Sequence, residues 1–355
     1  MNRLPHLPRL ACAMAIWVSV ACALLGCGAS GTPPPQVAAA HGPTSSPASA
    51  QARPAPSASV GVTTPSTVAT GSPGADIVLA AVLSAHLPVP LSRSAAVTVD
   101  GHIFVLGGML ASGVTTDTIY RFEGGGSAPQ LVGHLVQARH DVAAAQIGSQ
   151  VLVIGGGDAT VDASVESVTS QGVSRLVGRL PSPRADLSAI VASTEVVIAG
   201  GAGSSYERSV LGTSDGVHFR TVAVLPVGLR YAAVVGAGNL IFVVGGASAA
   251  GDVASIERID LTAGTVRVMG HLPFALSHAS GLSLDGRLLI LGGRRSGIAQ
   301  RGIWELDPIT GRVRIVGQLP YAVSDASAAT IGQVGYLFGG EDSNRVATII
   351  GLTLR

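Results

Sequence analysis

The chain has 355 residues, of which 47% are hydrophobic and 12% are charged, so it can bury a large core. Its 22 basic and 21 acidic residues leave a formal net charge of +1. This balance excludes the strong positive field that nucleic-acid binding requires. Every basic residue is an arginine, since the sequence contains no lysine. Chemistry that depends on a lysine ammonium, such as Schiff-base or P-loop chemistry, is therefore excluded.

Residues 1–27 have the features of a secretory signal. Arg3 and Arg9 accompany an apolar run from Leu10 to Leu25, which is shorter than the roughly 20 residues that a membrane span needs. The run ends in Leu24-Leu25-Gly26-Cys27, which resembles the lipobox of bacterial lipoproteins. That resemblance implies cleavage before Cys27 and a lipid on its thiol, which would anchor the protein to the cell membrane on the extracytoplasmic side. A plain secretory signal with an incidental cysteine is the alternative.

Residues 28–74 consist mainly of Ala, Pro, Ser, Thr, Gly and Val, and Arg53 is their one charged residue. A segment of this composition lacks the apolar side chains that a core requires, so it is predicted to be a disordered tether. Its expected root-mean-square reach is about 35–40 Å. Residues 75–355 then form the predicted globular domain.

That domain repeats one unit, a short turn and an apolar strand followed by two glycines. Steps of 45 to 48 residues separate successive pairs, a spacing that is typical of β-propeller blades. We therefore predict an all-β fold, a six-bladed β-propeller of four-stranded antiparallel blades. The pairs are Gly107/Gly108, Gly155/Gly156, Gly200/Gly201, Gly245/Gly246, Gly292/Gly293 and Gly339/Gly340.

A second landmark, leucine followed in five repeats of six by proline, lies 19 residues before each glycine pair. A strand rich in small residues follows it, as in Asp141 to Ala145, and we expect these strands to crowd around the propeller axis. The last repeat stops after its third strand, Ala347 to Leu354. Residues Ile77 to His86 resemble the fourth strand of other repeats, so the N-terminal strand is predicted to close the last blade and remove an open sheet edge.

The order of strand, Gly-Gly, variable loop, strand and Leu-Pro resembles the kelch repeat across Asp76 to Arg355. Kelch repeats usually carry a tyrosine and a tryptophan in their third and fourth strands, where this chain has Ile259 and Val266, or Leu306 and Val313. The WD40 family fits less well, because the chain has no Trp-Asp pair and Trp304 precedes Glu305.

Six polar residues occupy the same place in the six repeats, five residues beyond the Leu-Pro landmark and directly before the small-residue strands. We expect them to form a ring at the mouth of the axial channel, where they could bind a ligand through hydrogen bonds, an ion pair and stacking. The alternative is that they cap loop N–H groups and hydrate the channel. They are Arg93, Asp141, Asp186, Tyr231, His278 and Asp325.

The variable loops after the glycine pairs are predicted to surround this mouth as a rim of mixed charge, suited to a polar ligand or a protein surface, although solvated loops have the same composition. Histidines that recur before a leucine at the blade ends, His86, His134 and His271, are interpreted as packing residues, and no metal site is predicted. The polar and charged rim residues are Asp158, Asp162, Tyr206 to Arg208, Asp252, Arg294, Arg295, Arg301, Glu341, Asp342, Asn344 and Arg345.

The catalytic patterns that propellers of this type carry are missing. Copper radical oxidases of this architecture need a tyrosine crosslinked to a cysteine, and no cysteine follows residue 27. Ser214-Asp215-Gly216 resembles the Asp-box of sialidases but occurs once, so a hairpin turn is the better interpretation. No nucleophile and base can be assembled from adjacent positions, and no cofactor is predicted.

The expected function is a membrane-anchored binding or protein-interaction module outside the cytoplasm, with an envelope protein or a polar, carbohydrate-like ligand as its partner. One alternative comes from kelch propellers that are sialic-acid mutarotases, because opening a sugar ring needs only a general acid, a general base and an arginine for the carboxylate. A scaffold for cell-envelope proteins is the third possibility.

Overall fold

The computed structural model describes residues 79–355, so the predicted signal, the tether and the lipidation site Cys27 lie outside the described residues. Residues 79–355 form six four-stranded antiparallel sheets, which confirms the six-bladed β-propeller. No helix in this range could span a membrane.

Strand β1 (Leu79–His86) comes first, followed by blades 1 to 3 in chain order. Apart from two-residue strands, the first strand of each blade lies innermost and the fourth outermost. Blade 1 contains β2 (Leu91–Ser92), β3 (Ala95–Val99), β4 (His102–Leu106), β5 (Met109–Leu110), β6 (Thr118–Phe122) and β7 (Gln130–His134); blade 2 contains β8 (Ala143–Ile147), β9 (Gln150–Ile154), β10 (Ser164–Val168) and β11 (Ser174–Arg179); blade 3 contains β12 (Ala185–Ala192), β13 (Glu195–Ala202), β14 (Ser209–Thr213) and β15 (Arg220–Val224).

Blades 4 and 5 each add a ribbon of two two-residue strands after the glycine pair, whereas in blade 1 β5 follows the pair and pairs with β2 in the link before β3. Blade 4 contains β16 (Ala233–Ala237), β17 (Leu240–Val244), β18 (Ala247–Ser248), β19 (Gly251–Asp252), β20 (Ser255–Asp260) and β21 (Thr265–His271); blade 5 contains β22 (Ser280–Leu284), β23 (Arg287–Leu291), β24 (Arg294–Arg295), β25 (Ile298–Ala299), β26 (Gly302–Leu306) and β27 (Val313–Gln318); blade 6 contains β28 (Ser327–Ile331), β29 (Val334–Phe338) and β30 (Thr348–Leu354).

The N-terminal strand closes the propeller, as predicted. Strand β1 pairs antiparallel with β30 from Leu79 opposite Leu354 to His86 opposite Thr348. Ile77 and Val78, which the prediction included, lie outside the described residues. Because the fourth strand of blade 6 comes from the other end of the chain, the last blade is completed without a covalent hairpin between its third and fourth strands.

Each outermost strand contains a β-bulge at the same place. In blade 2, Val165 pairs with Gly178 and Glu166 with Leu176, so Val177 is the extra residue. The same shift occurs in the other five blades. A bulge twists an exposed edge away from regular pairing, which hinders edge-to-edge association.

Glycines let neighbouring blades touch backbone to backbone at these bulges. A Cβ on Gly178 would lie 2.1 Å from the carbonyl oxygen of Gly216 in the next blade, and a Cβ on Gly133 would lie 2.1 Å from that of Gly172. No side chain fits between backbones this close. The blades therefore meet here without the large aromatic residues that kelch repeats carry.

Both glycines of every pair have a positive φ, as expected for a sharp turn after the strand. The second glycine donates its N–H to a carbonyl in the link that enters the next blade, as in Gly108 to Arg139 at 2.8 Å and Gly340 to Leu91 at 2.8 Å. The first glycine packs against that same carbonyl, because a Cβ on Gly107 would lie 2.4 Å from the Arg139 oxygen. The pair thus forms a joint between successive blades.

One buried acid lacks the partner that its counterpart has. Glu166 accepts a hydrogen bond from the buried Arg139 at 2.7 Å. Glu257, at the equivalent place in blade 4, is 2% exposed, and its Oε2 has no hydrogen-bond partner among the described residues. Burial raises the pKa of Glu257 to about 7, so this carboxyl retains its proton in the folded state at mildly acid pH.

Gly339→Ala should break the joint that closes the propeller. A Cβ there would lie 2.0 Å from the Leu91 oxygen, so we expect the free energy of unfolding to fall by more than about 3 kcal/mol. Gly332→Ala is the matched control, because its φ of 56° is close to the 58° of Gly339 and nothing lies within 4 Å of the added carbon. The control should cost only about 1–2 kcal/mol. Urea unfolding monitored by circular dichroism measures both, and equal losses would contradict the joint.

Candidate functional site

The six polar residues predicted from the repeats surround one cavity of about 100 Å3 at the end of the axial channel. Five of them lie two residues before the innermost strand of their blade, and Asp186 is the second residue of β12. All six adopt the left-handed backbone conformation, with φ between 53° and 61°. This conformation is unfavourable for residues other than glycine, and least so for Asn and Asp. The surrounding structure must therefore hold it in place.

A closed ring of backbone hydrogen bonds explains this conformation. The N–H of each of the six residues donates to the carbonyl of its counterpart in the preceding blade, so the bonds run once around the axis. We call this closed set of six residues the axial ring. The bonds are Asp141 to Arg93 at 2.9 Å, Asp186 to Asp141 at 3.0 Å, Tyr231 to Asp186 at 3.0 Å, His278 to Tyr231 at 2.9 Å, Asp325 to His278 at 3.1 Å and Arg93 to Asp325 at 2.9 Å.

The axial ring satisfies its own N–H groups, so its side chains are not needed for capping. Within residues 79–355, no side chain of the axial ring accepts a hydrogen bond from a backbone N–H. The capping alternative therefore does not explain why these six side chains are polar. They contact one another and the loops around the cavity instead.

Asp141 and Asp186 form a pair of buried carboxyls whose pKa values are both raised. Burial raises the pKa of Asp141 to about 6, and the charge of Asp325 adds to this effect while Arg93 opposes it. Burial also raises the pKa of Asp186 to about 7, helped by the charge of Asp141. Arg93 contacts Asp141 at 3.4 Å and Arg230 contacts Asp186 at 3.3 Å, so each carboxyl has one arginine beside it. Two adjacent buried carboxylates repel each other, so the pair retains one proton near neutral pH.

His278 and Asp325, which are neighbours in the axial ring, form a second pair. His278 Nδ1 lies 2.7 Å from Asp325 Oδ1. Burial works to raise the pKa of Asp325, but hydrogen bonds from His278 and Ser324 and the charge of Arg294 outweigh it, so the pKa lies below its usual value. The ionised carboxylate therefore accepts the Nδ1 proton, which leaves Nε2 as the ring nitrogen available to a ligand.

Arg93 connects the axial ring to a carboxylate in the rim. Its guanidinium contacts Asp141 at 3.4 Å and Glu341 at 3.2 Å. Burial lowers the pKa of Arg93, but the charges of Asp141, Asp325 and Glu341 raise it by more. Glu341 also accepts hydrogen bonds from Ser92 at 2.8 Å and Arg294 at 2.6 Å. Arg93 and Glu341 thus link the axial ring to the loop residues of blades 5 and 6.

Four planar groups stack along one side of the mouth. The Tyr231 and His278 rings lie 3.7 Å apart, and the Arg230 guanidinium lies 4.5 Å from the Tyr231 ring and 5.3 Å from the Tyr206 ring. Arg230 also contacts Asp186 at 3.3 Å. The stack limits the rotamers of Tyr231 and His278, since each ring is held on at least one face.

Only part of the predicted rim reaches this site. Arg294, Glu341 and Arg345 contact one another or the axial ring, and Tyr206 joins the stack. Asp158, Asp252, Asp342 and Asn344 are exposed. Several others serve the framework: Asp162 and Glu207 bind buried arginines, and Arg208 and Arg301 donate to the carbonyls of Leu225 and Leu319. Arg295 stacks on Phe274 instead.

The three histidines at the blade ends lie on the surface of the propeller. His86, His134 and His271 are exposed at strand ends, so their interpretation as packing residues is wrong; the bulge turns these positions outward.

Asp215, in the Asp-box-like segment, lies in the hairpin between β14 and β15. It accepts the N–H groups of Val217 and His218, which confirms the predicted turn. Residues 79–355 contain no cluster of three or more His, Cys, Asp or Glu placed to hold a metal ion.

The buried arginines Arg139 and Arg184 were missed by the sequence analysis. Both are 1% exposed, and each donates to carbonyls of its blade, as Arg139 does to Gly155 at 3.0 Å. A signal for them exists in the repeats, because both stand four residues after the landmark leucines, Leu135 and Leu180. Hydrophobic residues occupy this place in the other four blades.

The fold and site define a six-bladed β-propeller with a polar cavity on its axis. No family model and no curated protein sequence matches the chain. A solved structure titled "Structure of YjhT" is similar, with a TM-score of 0.64 over 76% of this chain and 99% of that chain. The two sequences are 13% identical, so the similarity shows the fold alone.

Asp186→Asn should remove the pH dependence that the raised pKa of Asp186 creates, because an amide does not ionise. In the wild type, the raised pKa gives stability that is present below pH 4 and is lost as pH rises through about 7. The stability of the variant relative to the wild type should therefore increase by about 2–3 kcal/mol between pH 5 and pH 8. Urea unfolding at both pH values measures this change.

Asp325→Asn is the control for this measurement. The pKa of Asp325 is lowered, so its stabilising contribution is present above its unfolded pKa and is lost only in acid. This variant should be less stable than the wild type by a similar amount at pH 5 and pH 8. If Asp186→Asn also showed a constant difference, the carboxyl pair would not retain a proton near neutrality.

Proposed function

We propose that this protein is a kelch-like propeller that binds a small polar ligand at the axial ring. The observation that carries the proposal is the convergence of six side chains, one from each blade, on a single cavity while their own N–H groups are satisfied by the ring backbone. Polar side chains that the framework does not use are available to a ligand.

The ligand should be rich in hydroxyl or carboxylate groups. The cavity of about 100 Å3 has the volume that about three water molecules occupy in the liquid. It therefore suits one polar end of a ligand, with the remainder lying in the open mouth. His278 Nε2 and the carboxyl pair can accept hydrogen bonds, while Arg93 and the proton that the pair retains can donate them. A sugar or a sugar acid has this combination of groups.

The sequence of residues 1–74 supports a location outside the cytoplasm. The resemblance of Leu24 to Cys27 to a lipobox, followed by a tether without large side chains, favours a propeller anchored to the cell membrane through lipid on Cys27. A propeller held in this way would meet its ligand in the extracytoplasmic space. The kelch resemblance of the repeats fits a binding module rather than one specific reaction.

A panel of neutral and acidic sugars tests the proposal. We expect a ligand to raise the melting temperature of the wild type in differential scanning fluorimetry, since selective binding to the folded state stabilises it by about 2.7 kcal/mol at a hundred times Kd. His278→Gln should weaken that binding at least tenfold, because it removes the free ring nitrogen. Asp342→Asn, an exposed rim change, should leave the affinity unchanged. Equal binding by His278→Gln and the wild type would place the ligand elsewhere.

A sugar mutarotase resembling the sialic-acid mutarotases is the second candidate. The observation that favours it is the position of a proton-holding carboxyl pair in the same cavity as a histidine oriented by Asp325. Ring opening of a sugar requires a general acid to protonate the ring oxygen and a general base to take the anomeric hydroxyl proton. Asp186 and His278 match these roles, and Arg93 could hold a carboxylate.

NMR of anomer exchange on the same sugar panel separates the two candidates. Acceleration by the wild type that disappears in both Asp186→Asn and His278→Gln would establish the enzyme. Saturable binding without acceleration would establish the binding module.

A further inference from the structure

The residue directly after each glycine pair, here called the post-glycine residue, lies beside the axial ring in every blade. Its backbone pairs antiparallel with the residue that precedes the axial-ring residue. In blade 5, Arg294 N donates to Ser277 O at 2.6 Å and Ser277 N donates to Arg294 O at 3.0 Å. A post-glycine side chain is therefore placed next to the links that carry the axial ring. The six pairs are Ser92 and Met109, His140 and Gly157, Ala185 and Ala202, Arg230 and Ala247, Ser277 and Arg294, and Ser324 and Glu341.

Blades 5 and 6 have charged post-glycine residues, Arg294 and Glu341, whereas the other four blades have Met, Gly or Ala at this position. The same two blades supply His278 and Asp325 to the axial ring. The charged post-glycine residues thus stand beside the histidine and its carboxylate partner.

Arg294 holds one oxygen of Asp325 through two contacts. Its Nη2 lies 2.9 Å from Asp325 Oδ2, and its Nε donates to Ser324 Oγ at 2.8 Å. Ser324 Oγ donates in turn to the same Asp325 oxygen at 2.7 Å. The other oxygen, Oδ1, lies 2.7 Å from His278 Nδ1. Both oxygens of the carboxylate are thus occupied, which fixes its orientation relative to the imidazole.

Arg294 is also the cation that favours an ionised Asp325. The Asp325 side chain is 3% exposed, and burial of this kind disfavours a carboxylate. When the His278 imidazole is neutral, Arg294 is the one cation that forms an ion pair with this carboxylate within residues 79–355. Its charge therefore opposes the effects of burial and of the neighbouring acids. The other charged or titratable groups that act on Asp325 are His278, Arg93, Asp141 and, through Arg294, Glu341.

The protonation state of Asp325 determines what His278 offers to a ligand. An ionised Asp325 accepts the Nδ1 proton and leaves Nε2 as an acceptor. A protonated Asp325 would donate to Nδ1 instead, and the neutral imidazole would then carry its proton on Nε2. Nε2 would change from an acceptor to a donor, and a ligand hydroxyl that donates to it would lose its partner.

We propose that Arg294 is a positioning residue of the axial ring: by holding Asp325 ionised and in place, it keeps Nε2 of His278 free to accept a hydrogen bond. The ligand group that contacts the neutral His278 is then a donor, such as a hydroxyl. The value of this arrangement to a ligand rests on the proposed function, whereas the two protonation states are properties of the protein before any ligand binds.

NMR of the full-length chain without ligand, labelled with ¹³C and ¹⁵N, tests the proposal. In the wild type, the Asp325 ¹³Cγ shift should show an ionised carboxylate from pH 8 down to pH 4. Arg294→Gln should move the midpoint of the Asp325 titration upward by about 1–3 pH units, because a nearby opposite charge lowers a carboxyl pKa by that amount. At pH values where Asp325 carries a proton, the ¹⁵N shifts of His278 should place the imidazole proton on Nε2.

Two variants separate the charge of Arg294 from a general effect on folding. Arg294→Lys keeps a cation beside Asp325 and should keep the wild-type midpoint and the proton on Nδ1. Ser324→Ala keeps the Arg294 charge and removes one hydrogen bond to Asp325, so its midpoint should rise by less than about 1 pH unit. Arg295→Gln is the matched control, because Arg295 stacks on Phe274, and it should change neither reading.

The outcomes for Arg294 and for the proposed function are distinguishable. An Asp325 midpoint in Arg294→Gln equal to that of the wild type would overturn the proposal, even if a sugar binds at the axial ring. An upward shift in Arg294→Gln that Arg294→Lys reverses would support it. If no sugar bound the wild type in that case, only the proposed function would be contradicted.

Discussion

The propeller depends on one repeated contact, the hydrogen bond from the second glycine of each pair to a link carbonyl of the next blade. Two glycines are needed because the backbone turns through positive φ at both positions, and because the carbonyl approaches the first too closely for any side chain. The joint between Gly340 and Leu91 closes the circle at 2.8 Å. Each joint fixes the link two residues before its axial-ring residue, so the positions of the six polar side chains follow from the joints.

In the axial ring, backbone hydrogen bonds close the circle and the side chains are not needed for closure. The six side chains can therefore differ from blade to blade. Three are acids, one is a cation, and two are rings that stack on each other. The result is an uneven mouth. Arg93, Arg294 and Glu341 form a network beside blades 5, 6 and 1, and Arg93 joins that network to Asp141 of the carboxyl pair. Such unevenness gives a ligand a single orientation, which a uniform ring could not do.

Periodicity is what made the fold predictable. The glycine pairs, the Leu-Pro landmark and the truncated last repeat were sufficient to predict six blades, closure by the N-terminal strand and the membership of the axial ring. Residues outside the repeat pattern were not predictable in the same way. That Glu341 reaches both Arg93 and Arg294 depends on loop conformations. The raised pKa values of Asp141 and Asp186 depend on their burial. The outward-facing histidines were misinterpreted because a bulge shifts the alternation of the outermost strands.

The most direct test of this account is the detection of scalar couplings across the ring hydrogen bonds by NMR. Each N–H of the axial ring should show a coupling to the carbonyl carbon of its counterpart in the preceding blade, as between Asp141 and Arg93, giving six cross-peaks that close the circle. Absence of these couplings, with rapid solvent exchange of the same N–H groups, would show that the ring is open. The polar side chains would then be needed to satisfy the links, and the case for a ligand site on the axis would be lost.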